Sequence, residues 1–161
     1  MATKQVIGSL TANDETAQRE AGTMYIDPVT GKGYRYILIE DLAVAVGDVV
    51  EFSDTSGNEV TQDRAGGSSI GRVVAGVALG TITDGYYGWI QVSGRNATIK
   101  TDGGVGAAEG LVPHATQNGH ADSAIATSTG VNTEGQIFAH ALEADDSSAS
   151  GATCAGVIKL L

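Results

Sequence analysis

One cysteine, Cys154, is all this chain has. That excludes an intramolecular disulfide framework and any multi-cysteine zinc site, so stability must come from packing, to which oligomerisation can add. Proline is almost as scarce at two residues, which excludes a proline-rich linker. No stretch approaches the roughly 20 apolar residues that a membrane span requires. Residues 1–8 lack the apolar centre of a secretory signal, so synthesis and assembly in a cytosol are expected. Basic residues are outnumbered 9 to 19 by acidic ones, a net charge of −10. Such a surface repels phosphate backbones and anionic membranes, so neither nucleic acid nor membrane is an expected partner. The charge serves solubility, or offers an acidic face to a basic partner.

Glycine, at 23 residues, is what the chain has in quantity. Each internal glycine costs a helix roughly 1 kcal/mol relative to alanine, so long helices are disfavoured. With Thr, Ser, Val and Asn/Asp in quick succession, the composition predicts short strands and tight turns, an all-β chain. The expected fold is a small antiparallel β-barrel or sandwich with an extended N-terminal arm.

Residues 1–24 are polar and without apolar periodicity, which predicts the arm; residues 25–161 form the body, with a possible small hairpin subdomain at 25–65. Met24-Tyr25-Ile26, the turn 27–33 and Tyr34–Ile39 read as a hairpin. Val49–Phe52 is a strand to which Glu59–Gln62 pairs back, and Ala65–Ser69 is a flexible connection. Arg72–Leu79 is nearly continuously apolar and belongs deep in the fold. Thr83-Asp84-Gly85 turns it into Tyr86–Val92, with Ile90 and Val92 on one face and Tyr87, Trp89 and Gln91 on the other. Ser93-Gly94-Arg95-Asn96 predicts a further hairpin to Ala97–Lys100, completing a meander. Between 102 and 135 only Gly110–Pro113 and Ala124–Ala126 look like strand fragments. A last hairpin, Gln136–Leu142 and Thr153–Leu160, echoes the middle one: Ala78-Leu79 and Trp89–Val92 match Ala141-Leu142 and Gly156–Lys159.

Chemistry is sparse. His114 and His120 lie in a glycine-rich loop without the Cys or Glu partners of a zinc motif. Glu143, Asp145 and Asp146 lack the alternation of a calcium loop and read as a solvated turn. Cys154, in an apolar strand, reads as a small buried hydrophobe. There is no nucleophile elbow and no phosphate loop, so no catalytic, cofactor or metal residue is assigned and no enzyme activity is expected. Tyr86, Tyr87 and Trp89 read either as a half-buried strand or as aromatic interface anchors. His140, on the strand face opposite Ala139 and Ala141, joins them as a candidate interface residue.

Lys32-Gly33-Tyr34-Arg35-Tyr36-Ile37 with residues 43–50, the central hairpin 74–94, and the closing strands 139–144 and 157–161 together resemble capsid decoration (cement) proteins of tailed bacteriophages. The likeness spans most of residues 32–161 and rests on strand patterns. It implies a structural protein on the outer capsid surface of a virion, commonly a homotrimer, whose partner is the major capsid protein. A head-fibre or host-surface-binding module is the alternative, and a small hydrolase or metal enzyme a distant third.

Overall fold

The computed structural model describes residues 8–63, 73–124, 137–146 and 151–160, the side chain of Ala97 excepted. Among them are ten strands and no helix: β1 (Met24–Ile26), β2 (Gly33–Ile39), β3 (Val49–Phe52), β4 (Glu59–Thr61), β5 (Val74–Ala78), β6 (Tyr87–Thr101), β7 (Gly110–Pro113), β8 (Ala121–Ser123), β9 (Ala139–Ala141) and β10 (Ala152–Lys159). The all-β expectation holds. The predicted strands at 24–39, 49–62 and 72–79 fall where the pattern put them. The expected connection at 65–69 and the end of the 124–126 fragment lie outside the described residues.

The sheet closes twice. One ring runs β2-β4-β3-β5-β6 and returns to β2; the other runs β6-β8-β7-β9-β10 and returns to β6. Each ring contains one parallel pair, β2 with β4 and β6 with β8, so the barrels are not purely antiparallel. Closure leaves these strands without the bare edges that invite aggregation.

The rings are copies of one another, pair by pair. Val49↔Val77, Phe52↔Val60, Ala78↔Ile90 and Ile37↔Gly88 in the first recur as Gly110↔His140, Pro113↔Ala121, Ala141↔Gly156 and Ile99↔Cys154 in the second. The loops entering β3 and β7 match as well. Asp48 Oδ2 accepts the Ala45 N–H at 2.6 Å, and Glu109 Oε2 accepts the Gly106 N–H at 2.8 Å. The residue before each acid has positive φ, 86° at Gly47 and 67° at Ala108. The echo in the sequence is therefore a structural duplication, with Ile90 aligned to Gly156, one position away from the sequence match.

β6 belongs to both barrels, which corrects the expected hairpin at 93–96. Its first half pairs with β2 and β5, its second with β10 and β8. Gly94, at φ 88°, deflects the strand without reversing it. The carbonyls exposed by this irregularity are satisfied from within: Gln91 Nε2 donates to Ser93 O and Arg95 O at 3.0 and 3.1 Å. Asn96 Nδ2 donates to Gln91 Oε1 at 3.1 Å. These turn-like polar residues are a buried amide network.

Each barrel has its own core. Ile37, Ile39, Val50, Val60, Ile90 and Val92 fill the first, and Ile99, Leu111, Phe138, Ala139, Cys154 and Ile158 the second. Val49, Val74 and Val77 of the first ring turn outward into the second core, and Leu160 packs against both. A third cluster, Tyr34, Tyr36 and Trp89, lies on the outer face of β2 and β6 with Leu10, Tyr25 and Tyr87 packed on it.

Candidate functional site

The aromatic group lies beneath the N-terminal segment of its own chain. Asp14 and Tyr87 exchange backbone hydrogen bonds at 2.8 and 2.9 Å. Tyr36 Oη donates to Asp14 Oδ2 at 2.8 Å and accepts from the Gln18 N–H at 3.2 Å. The Arg19 guanidinium sits 5.9 Å over the Trp89 ring. Asn13 Oδ1 accepts the Thr83 N–H at 2.9 Å. Residues 8–23 thus have almost no strand of their own and are still bonded to the body; residues 1–7 lie outside the described residues. Burial, the largest influence on Tyr36, pushes its hydroxyl up to about 12.

Of the four candidate interface residues, Trp89 is 2% exposed and closed in by Tyr36, whose ring centroid lies 5.2 Å away. A side chain so covered meets no partner while residues 8–19 stay in place. Tyr87, half-buried, stacks on Tyr36 at 6.0 Å. Tyr86 is half-buried and turns the other way, against the first core. His140 is exposed on β9 of the second barrel, flanked in the sheet by Val157 and Gly110. The fold therefore gathers Trp89 and Tyr87 and sets Tyr86 and His140 apart from them.

A second grouping, which the sequence did not signal, unites Asp102, His114 and Asp122, whose ligand-type atoms all lie within 4.8 Å of one another. Asp102 follows β6, His114 follows β7 and Asp122 lies in β8, three strands that meet at one end of the second barrel. His114 Nδ1 accepts the N–H groups of Thr116 and Gln117 at 3.1 and 2.8 Å. Its proton is then on Nε2, 3.0 Å from Asp102 Oδ2. A metal-bound histidine normally uses its second nitrogen as a donor. Here that nitrogen is an acceptor, so presenting Nε2 to a metal would break both of these backbone hydrogen bonds. His114 and Asp102 form a hydrogen-bonded pair, and Asp122 stands beside them. Burial, then the charge of Asp102, raises the Asp122 carboxyl above its ordinary value.

The acidic turn spends its carboxylates separately. Glu143 accepts the Ala155 N–H at 3.2 Å, Asp145 accepts from Thr101 Oγ1 and the Val105 N–H at 3.0 Å each, and Asp146 accepts the Thr153 N–H at 2.8 Å. They diverge to three places. Cys154 is 1% exposed, and burial pushes its thiol up to about 11, well away from a thiolate at neutral pH.

The sequence reading also missed Arg35. It enters the mouth of the first barrel, where its guanidinium stands 5.3 Å over the Phe52 ring and its Nε donates to Met24 Sδ at 3.2 Å. A lone arginine in a strand carries no signal until the fold shows what surrounds it.

No protein-family model matches the chain, and no curated protein matches it. Among solved structures it resembles the crystal structure of the head fibre gp8.5 N base of bacteriophage phi29, with a TM-score of 0.51 and 12% sequence identity. The match covers 78% of this chain and 92% of that one. At that identity the likeness establishes a shared fold, that of a phage head-fibre base.

Proposed function

We propose that this chain is a non-enzymatic structural protein of a bacteriophage head, a decoration protein that binds the outside of the capsid and ties neighbouring major capsid proteins together. The observation that carries this reading is the fold shared with a phage head-fibre base, joined to the resemblance of residues 32–161 to decoration proteins. The chemistry agrees: His114, Asp102, Asp145 and Asp146 are engaged in holding the body, and Cys154 is buried in it. A doubly closed β-body suits a part that must persist outside a shell. Weak contacts repeated over a symmetric surface add up through multivalency.

The fold likeness itself favours a second reading, a head-fibre base whose role is to carry a distal module. Co-sedimentation with the cognate empty capsid, with and without residues 2–20, separates the two. Saturable binding that raises the capsid melting temperature supports a decoration protein. Saturable binding with no change in capsid stability supports the fibre base. Absence of binding overturns both.

A further inference from the structure

We propose that the outer face of β6, β10 and β9 on the second barrel is the surface that meets the shell, with Arg95, Lys159 and His140 receiving carboxylates of an acidic capsid surface. This rests on the capsid reading above and adds to it the face and the partner's chemistry. The register builds the surface. Arg95 stands opposite Val157, Val157 opposite His140, and His140 opposite Gly110. Residues directly opposite in antiparallel strands project to the same side of a sheet, so the four form one row across β6, β10, β9 and β7. Ile158 lies in the second core, so its neighbours Val157 and Lys159 both face outward. Arg95, His140 and Lys159 are all exposed.

The duplication shows what this row is for. In the first barrel the same four places are held by Tyr34, Gln91, Val77 and Val49. None of them is more than 5% exposed, and Val49 and Val77 bury themselves in the second core. In the first barrel, then, the row is the contact by which it rests on its neighbour. In the second barrel the row faces solvent, and its residues have changed from apolar to cationic. A contact surface repeated by the fold has been kept and given a different chemistry.

That chemistry names the partner. The chain carries a net charge of −10, yet among the described residues the side chains of Arg95, Lys159 and His140 have no ion pair and no hydrogen bond. Lys100, on the same strand as Arg95, is by contrast bonded to Asp48. Apolar groups flank the charges. Ile137, 43% exposed, lies 3.1 Å from where a Cβ on Gly110 would stand, and Leu142, 49% exposed, follows His140 by two residues. Unpaired cations set among exposed aliphatic groups fit a protein surface that offers carboxylates, which a guanidinium can take in pairs. A nucleic acid would meet the repulsion of the acidic remainder of the chain.

Co-sedimentation titrations with the cognate empty capsid test the surface, using Arg95→Glu, Lys159→Glu, and Arg95→Glu combined with Asp84→Lys. The last restores the net charge at an exposed turn outside the row. Each variant, the compensated one included, should raise the dissociation constant about tenfold or more and weaken the salt dependence of binding. The free variants should melt with the wild type, and Lys159→Glu carries the test alone where Arg95→Glu disturbs the strand beside Gly94. Variants that bind like the wild type, or full recovery in the compensated one, overturn the inference and leave the capsid reading standing. A wild type that does not bind overturns the capsid reading and the inference with it. Variants that lose self-association in sedimentation velocity while keeping capsid affinity give the face to a second copy, which also overturns it.

Discussion

His114 and Asp102 are joined through Nε2 and Oδ2 at 3.0 Å, while the other ring nitrogen of His114 receives two backbone N–H groups. The imidazole is thereby fixed as the tautomer protonated at Nε2, and its place is to hold the turn after β7 against the end of β6. One equivalent of zinc should leave the melting temperature unchanged within error, as should dialysis against a chelator. A rise of several degrees with zinc would show that the ring is free to present Nε2 to a metal.

Asp122 gives the same cluster a pH dependence. Its folded carboxyl is raised, first by burial and then by Asp102, so the folded chain retains a proton that the unfolded chain has already released. The contribution to stability is complete below the ordinary carboxyl value of 3.8 and is lost as pH rises through the raised folded value. Asp122→Asn keeps an oxygen for the Ser123 N–H, now accepted at 2.7 Å, and removes the ionisation. The variant should melt above the wild type at pH 7, with the gap closing as the pH is taken down through the carboxyl range. An equal gap at both ends would place the effect elsewhere.

Tyr36→Phe removes the hydroxyl that bonds both Asp14 and Gln18. The expected loss is about 0.5–1.5 kcal/mol, read by urea denaturation. Cleavage within residues 8–19 in limited proteolysis should increase as well, because that hydroxyl is part of what holds the segment over Trp89. The raised hydroxyl adds an alkaline signature. Stability should fall between about pH 10, the free tyrosine value, and about 12, the folded one, and Tyr36→Phe should flatten that fall.

Gly88 sits where β6 passes beneath the N-terminal segment. A Cβ there would stand 2.5 Å from Ile82 Cδ1 and 2.9 Å from the Ala12 carbonyl oxygen. Gly88→Ala should cost about 1–3 kcal/mol by overpacking, with the denaturant midpoint lowered at unchanged slope. Gly85→Ala is the informative companion. Nothing lies near its Cβ, and its φ of 76° should make the loss purely one of backbone strain, without added proteolysis at residues 8–19.

The all-β class, the hairpins and the first barrel's strands were legible because alternation and turn residues are local signals. Even the duplication left a trace, in the matching ends of Ala78-Leu79 and Ala141-Leu142. What misled was also local. Ser93-Gly94-Arg95-Asn96 has the composition of a turn, and only Gln91, folding back on both flanking carbonyls, lets the strand continue. Trp89 could be assigned to a face of its strand from alternation, but what covers that face comes from residues 8–19, which have no periodicity to announce it. The grouping of Asp102, His114 and Asp122 and the place of Arg35 over Phe52 depend on ring closure, and long-range pairings such as Thr101↔Ala121 are invisible to a reading of neighbours.

β6 gives the molecule a mechanical axis. One uninterrupted backbone passes through both barrels, paired with β2 over its first half and with β10 over its second. A load applied between its ends meets those ladders side-on, so that many hydrogen bonds share the force at once instead of parting singly. Resistance to rupture under such a load is governed by the rate of unfolding. The two barrels, which could have been strung like beads, are instead reinforced by a common rod, and stretching one of them strains the other.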